Sequence, residues 1–167
     1  MRRIIGIDNA YLGTDIETPM RLMAFTDYGL RVLMRLAVEP ARVVTTEQIA
    51  DEHGISRHHL VKVVRELAEA GLILTQRGIG GGMKLARPAD EITVGEVVRL
   101  LESRQALVEC CRPDGGDCIL NPGCRLKGSL MRAKAAFLAD LDRSTLADCV
   151  EAVPRKTSRR VKRRRAA

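Results

Sequence analysis

The chain has 167 residues, 46% of them hydrophobic, which is enough for one small domain with an assembly element attached. It has no Trp, two Phe and two Tyr, so its core must be aliphatic; this argues against binding single-stranded nucleic acid by stacking bases on aromatic platforms. The net charge of +7 belongs to one end: eight Lys and Arg follow Pro154 with no acid among them, leaving 20 basic against 21 acidic groups elsewhere.

Residues 1–19 hold two Arg, two Asp and one Glu, with Gly6 and Gly13 and no sustained periodicity. They lack the apolar stretch of a secretory signal and read as a disordered extension or a start-site artefact ahead of Met20. Apolar runs elsewhere are too short to span a bilayer. A cytoplasmic protein with no membrane partner is expected, its cysteines serving metal or redox chemistry.

Residues 20–104 read as a winged helix-turn-helix. The spacing of Leu30, Leu33, Met34 and Ala37 predicts a helix from Thr26 to Val38, with Thr26 as its N-cap, Asp27 in its first turn and Pro40 beyond its end. Thr45 and Gln48 form a capping-box pair opening a second helix, Gly54 stops it, and Ser56 is expected to cap a third that runs to Ala70. On that third helix Leu60, Val63, Val64 and Leu67 share one face, while His58, Lys62 and Arg65 lie opposite, with Arg57 and His59 near the N-terminal end. After Gly71 a short strand, a Gly-rich turn and a second strand reaching Pro88 make a hairpin wing. Between Ser56 and Pro88 six Lys and Arg face two Glu, a local charge of +4. Double-stranded DNA is therefore the expected partner. Arg57, His58, His59, Val61 and Lys62 are candidate groove and phosphate contacts, Val61 offering an apolar patch for a thymine methyl. Arg77 precedes the wing turn and is placed to enter a minor groove, and Lys84 lies on the second wing strand. For His58 and His59 a structural or solvent role is the equal alternative; neighbouring positions on a helix diverge, so the pair is not a metal site.

Another amphipathic helix is expected over Thr93–Arg104. It is followed by a loop, residues 105–125, and a dimerisation helix, 126–150, in which Leu126, Leu130, Phe137 and Leu141 form a stripe with Met131 and Leu138 beside it. The Arg-rich tail, 151–167, is disordered by composition. The expected fold class is thus mainly α with a small β-wing.

Within the loop, Cys110 and Cys118 enclose seven residues and Cys118 and Cys124 five, with Pro113, Gly115, Gly116, Pro122 and Gly123 among them. Thiols this close in so pliable a segment can converge on a soft metal or an iron-sulfur cluster. Three thiolates leave a tetrahedral set incomplete, so a fourth ligand must come from elsewhere. Structural zinc, a redox disulfide and reduced cysteines remain open alternatives. Cys111 is not expected on the same centre as its neighbour Cys110, and Cys149 reads as a small buried hydrophobe. A dithiol enzyme using Cys110 with Cys111 or Cys118 would want a Cys-x-x-Cys at a helix start and alternating strands and helices; neither occurs, so no enzymatic activity is expected.

Four segments, residues 20–37, 55–67, 77–88 and the Cys110, Cys118, Cys124 loop running on to Lys127, stand in the order found in the Rrf2 family of bacterial winged-helix regulators, which this chain resembles from Met20 to about Asp148. The match is nearest to the nitric-oxide-sensing repressors of that family. The resemblance implies a homodimer on an inverted-repeat operator, with a 4Fe-4S cluster in each loop, a 2Fe-2S centre being the smaller alternative, and nitric oxide as the signal. It also implies a fourth ligand from the first helix of the partner subunit, and the matching residue is Asp27. The helix dipole alone would explain an acid at that position. Arg31, four residues on, could pair with Asp27 and link cluster to reader. Cluster-biogenesis relatives carry a His where this chain has Lys127, which sets them apart, whereas iron-responsive relatives share the three-cysteine loop. A regulator of iron or cluster status, or a zinc-stabilised DNA-binding protein, is the alternative function.

Overall fold

The computed structural model describes residues 21–78, 80–120 and 123–151. The expected extension, 1–19, and the expected tail beyond Glu151 lie outside the described residues. In chain order the elements are α1 (Ala24–Val38), α2 (Thr46–His53), α3 (Arg57–Glu69), β1 (Ile73–Gln76), β2 (Gly82–Leu85), α4 (Val94–Leu101), α5 (Arg125–Leu141) and α6 (Leu146–Val150). Single 3-10 turns lie at Ala89–Glu91 and Glu109–Cys111.

α1 buries Val32, Leu33, Leu36 and Ala37, a helical stripe that packs on α3, α4 and α6. It opens earlier than expected. Met23 holds the cap position without a side-chain capping bond, and Thr26 sits fully buried inside the first turn. The acceptor comes from α4's end: Glu102 Oε1 accepts from the Met23 N–H at 2.9 Å and from the Thr26 hydroxyl at 2.5 Å.

The helix-turn-helix is built from local chemistry. The Gln48 N–H donates to Thr45 Oγ1 and the Thr45 N–H to Gln48 Oε1, completing the expected capping box. Gly54 takes φ 65°, the left-handed turn that lets α3 leave α2 at an angle, at a position where other residues are strained. Ser56 occupies the cap position of α3 but makes no side-chain capping bond, contrary to expectation. Leu60, Val63 and Leu67 are fully buried and join α3 to the core.

In the wing β1 and β2 pair antiparallel from Ile73 opposite Leu85 to Gln76 opposite Gly82. The second strand ends at Leu85, short of the expected Pro88, because Ala86 turns its N–H onto Leu72 O at 3.0 Å. Val44 exchanges both backbone bonds with Met83, at 3.0 and 2.8 Å, and so fastens the loop before α2 to the wing.

The one long helix expected over 126–150 is two. α5 stops at Leu141, and α6 restarts behind a capping box of its own, with the Asp148 N–H on Thr145 Oγ1 and the Thr145 N–H on Asp148 Oδ2. Leu146 then drops fully buried into the core, which a continuous helix could not deliver. α4 is also shorter than expected, ending at Leu101. A Cβ on Gly95 would meet the carboxylate of Asp142 and come within 2.8 Å of the Leu138 carbonyl, so glycine lets the end of α5 pass close to α4. An Arg99–Asp142 ion pair closes that junction.

Candidate DNA-reading surface and cysteine cluster

α3 presents Arg57, His58, His59, Val61 and Lys62 on its exposed side while its other face is held in the core. Val61 is 51% exposed, an aliphatic side chain left among cations. The two histidines lie ring to ring, centroids 6.0 Å apart and tilted by 59°. His59 also stacks on Tyr28 of α1, ring centroids 6.5 Å apart and 23° from parallel, which ties the pair to the scaffold.

Ion pairing sorts the remaining cations. Arg31, Arg35, Arg42, Arg65, Arg87, Arg99 and Arg104 each pair with an Asp or Glu. Lys62, Arg77 and Lys84 make no ion pair among the described residues, and Arg57 has only a 3.3 Å contact with Glu47 between two exposed side chains, a geometry of little strength in water. Four of the seven residues expected to meet DNA are therefore weakly engaged cations, available to displace counterions from phosphates.

The wing carries Arg77 on a turn that only glycine can form. Gly78 and Gly80 adopt φ 98° and 77°, and a Cβ on Gly81 would lie within 2.8 Å of the Gly78 carbonyl. Lys84 stands exposed on β2 between buried Met83 and Leu85, opposite Leu74 in the register. The alternation of the strand thus aims one cation outward while its neighbours anchor the wing.

Beyond α4 the chain reaches the turn Glu109–Cys111, where Cys110 is buried and Cys111, Cys118 and Cys124 are half-buried. All five cysteines are free thiols. Burial, followed by the neighbouring Cys111, Cys118 and Cys124 sulfurs and a hydrogen bond with Cys111, pushes the Cys110 thiol above its ordinary range. The four sulfurs therefore share one electrostatic neighbourhood, Cys111 included. The 3-10 turn Glu109–Cys111 leaves the adjacent Cys110 and Cys111 side chains within hydrogen-bond reach of each other. Cys149 lies exposed, contrary to expectation, because Leu146 and Val150 set the buried face of α6.

The loop's donors fit a soft metal centre. Cys124 occupies the N-cap position of the 17-residue α5. Gly115 and Gly116 take φ 80° and 58°, folding the loop onto Glu109, whose carbonyl a Cβ at Gly116 would approach to 2.8 Å. Among the described residues no three His, Cys, Asp or Glu side chains stand together at coordinating distance.

Asp27 lies in the first turn of α1, its side chain 47% exposed, and both carboxylate oxygens accept from Arg31 Nε at 3.0 and 2.9 Å. The ion pair expected between Asp27 and Arg31 is therefore formed. His53, at the end of α2, feels both members; burial first, then Arg31, holds its imidazole below the usual range, and its Nε2 is buried with no hydrogen-bond partner. Glu102 and His53 escaped the sequence reading, since nothing local marks either.

A capped helix-turn-helix, a glycine wing and a face of weakly engaged cations are the features of a winged-helix DNA-binding regulator. The Rrf2 family, described as an iron-dependent transcriptional regulator, matches residues 22–152. The chain is 46% identical over 132 residues to the HTH-type transcriptional regulator NsrR of Shouchella clausii (strain KSM-K16), covering 78% of this chain and 89% of that protein. It resembles the crystal structure of oxidized CymR from Staphylococcus aureus (TM-score 0.62, 31% identity, 81% of this chain and 99% of that one). It likewise resembles IscR of T. potens, with a TM-score of 0.65, 25% identity, and coverage of 84% of this chain and 93% of that one. The chain belongs to the Rrf2 family and is an NsrR-like transcriptional regulator.

Proposed function

We propose that this protein is a DNA-binding repressor that senses nitric oxide through an iron-sulfur cluster held by Cys110, Cys118 and Cys124, with Asp27 of the partner subunit as fourth ligand. The observation that carries this reading is the presence of those three free thiols, buried or half-buried, in one loop that follows a winged helix, in a chain 46% identical to a regulator named NsrR. When bound, the cluster supplies iron that nitric oxide attacks.

The chain's own residues do the rest. Asp27 is a weaker iron ligand than any thiolate, which leaves one corner of the site comparatively reactive. Ligation draws Asp27 away from Arg31, and its loss returns Asp27 to that pair. Because α1 packs on α3, and Val32, Leu33 and Leu36 share one buried core with Leu60, Val63 and Leu67, a change at its first turn would reach the reading helix as a rigid displacement. In a homodimer two such helices must keep the spacing of an inverted repeat, about 34–36 Å, so a small tilt lowers affinity.

Anaerobically purified protein is expected to be brown and to contain iron and acid-labile sulfide; a colourless protein with stoichiometric zinc would refute the cluster. The family's description as iron-dependent favours a second reading, a regulator of iron or cluster status. In that case chelation of iron would release operator DNA where nitric oxide would not.

A further inference from the structure

Glu102 joins two parts of the molecule that are remote in sequence. It is the C-cap residue of α4, the last element before the cysteine loop. Its Oε1 holds the start of α1 through the Met23 N–H, at 2.9 Å, and the Thr26 hydroxyl, at 2.5 Å. Thr26 is fully buried, and such a hydroxyl needs its partner, so breaking this contact leaves a desolvated donor unsatisfied. Asp27 is the next residue. Beside this tie, Leu101 fills the space over Gly29, where a Cβ would collide with the leucine side chain. Two consecutive residues at the stem of the cysteine loop thus clamp the first turns of α1, one by packing and one by hydrogen bonding.

We infer that Glu102 is a positioning residue for Asp27: by fixing the first turn of α1 to the stem of the cysteine loop, it holds the carboxylate where a partner subunit can use it as a ligand. This rests on the proposed cluster function. The tie also means that a strained loop in one subunit shifts the Asp27 of that same subunit, which serves the other subunit's site.

The test uses the full-length protein, loaded anaerobically, and follows loss of visible absorbance to an iron chelator. Glu102→Ala is expected to speed that loss by roughly 10-fold or more, the range for residues that orient a ligand. Glu102→Gln keeps an acceptor in place and should behave like the unmutated chain. Thr26→Val deletes one donor with little change of shape and serves if Glu102→Ala folds poorly; it should shift the rate in the same direction. In an Asp27→Ala background Glu102→Ala should add nothing, because the two act in series. Unchanged loss in Glu102→Ala, or an effect that adds in full to Asp27→Ala as general loosening would, overturns the inference alone. An unmutated protein that never takes up a cluster overturns the functional reading and this inference with it.

Discussion

Arg57 and Arg77 are both exposed cations, yet they sit on different devices. Arg57 opens the reading helix, whereas Arg77 rides on a glycine turn that has no other evident use. Either change to Ala should lower operator affinity by about 1–3 kcal/mol without altering cluster content, with Arg77→Ala flattening the salt dependence and the preference for A/T-rich flanks. Fluorescence anisotropy with operator DNA at several salt concentrations checks this, and unchanged affinity in both variants would refute the assignment. His53 gives a pH signature. Its imidazole is held below the usual 6.5 in the fold, first by burial and then by Arg31, so the unfolded chain takes up the proton first. Folding stability should therefore fall as pH drops below about 6.5, the reference value for an unperturbed imidazole. Thermal unfolding from pH 7.5 to 5 should show that limb reduced in His53→Gln. Single residues were the least legible scale in the sequence. Thr26 has every attribute of an N-cap, but its partner lies 76 positions away, and long-range acceptors leave no trace in local spacing.

Among the elements, the helix-turn-helix was readable because its determinants are neighbours in the chain. Thr45, Gln48 and Gly54 act within a few residues of one another, and the structure forms each bond they imply. The second half was misread where two periodic segments ran together. Residues 126–150 keep a helical spacing throughout, yet Thr145 and Asp148 already spell a new start inside it, a local sign outweighed by the apolar stripe. The break matters for packing: α5 buries no side chain fully, whereas α6 pins Leu146 into the core. Thr145→Ala should cost about 1 kcal/mol through the lost cap. Leu146→Ala should cost roughly 2–5 kcal/mol through the cavity it leaves, and chemical denaturation should rank the two in that order.

For the molecule as a whole, α5 is the long helix that buries no side chain fully. Leu130, Phe137 and Leu141 of the expected stripe are half-buried, with α5 lying against α4, while Leu126 and Met131 remain 64% and 47% exposed. The homodimer proposed above would cover that surface with a second copy of the chain. Replacing Leu126 and Met131 together by Asp should give monomers in sedimentation experiments, with operator binding lost; dimers that still bind DNA would place the interface elsewhere. The charge of +7 proved a poor guide to the reader, because eight of the basic residues follow Pro154. On α3 and the wing, Lys62, Arg77 and Lys84 make no ion pair among the described residues and Arg57 only an exposed one, which supports their proposed contact with DNA. The central claim is that cluster chemistry sets DNA affinity. An anaerobic titration of the cluster-loaded dimer with nitric oxide, recording visible absorbance and operator anisotropy in one sample, tests it most directly. Both signals should fall together over the same range of nitric oxide. Operator affinity that survives complete bleaching of the cluster would contradict it.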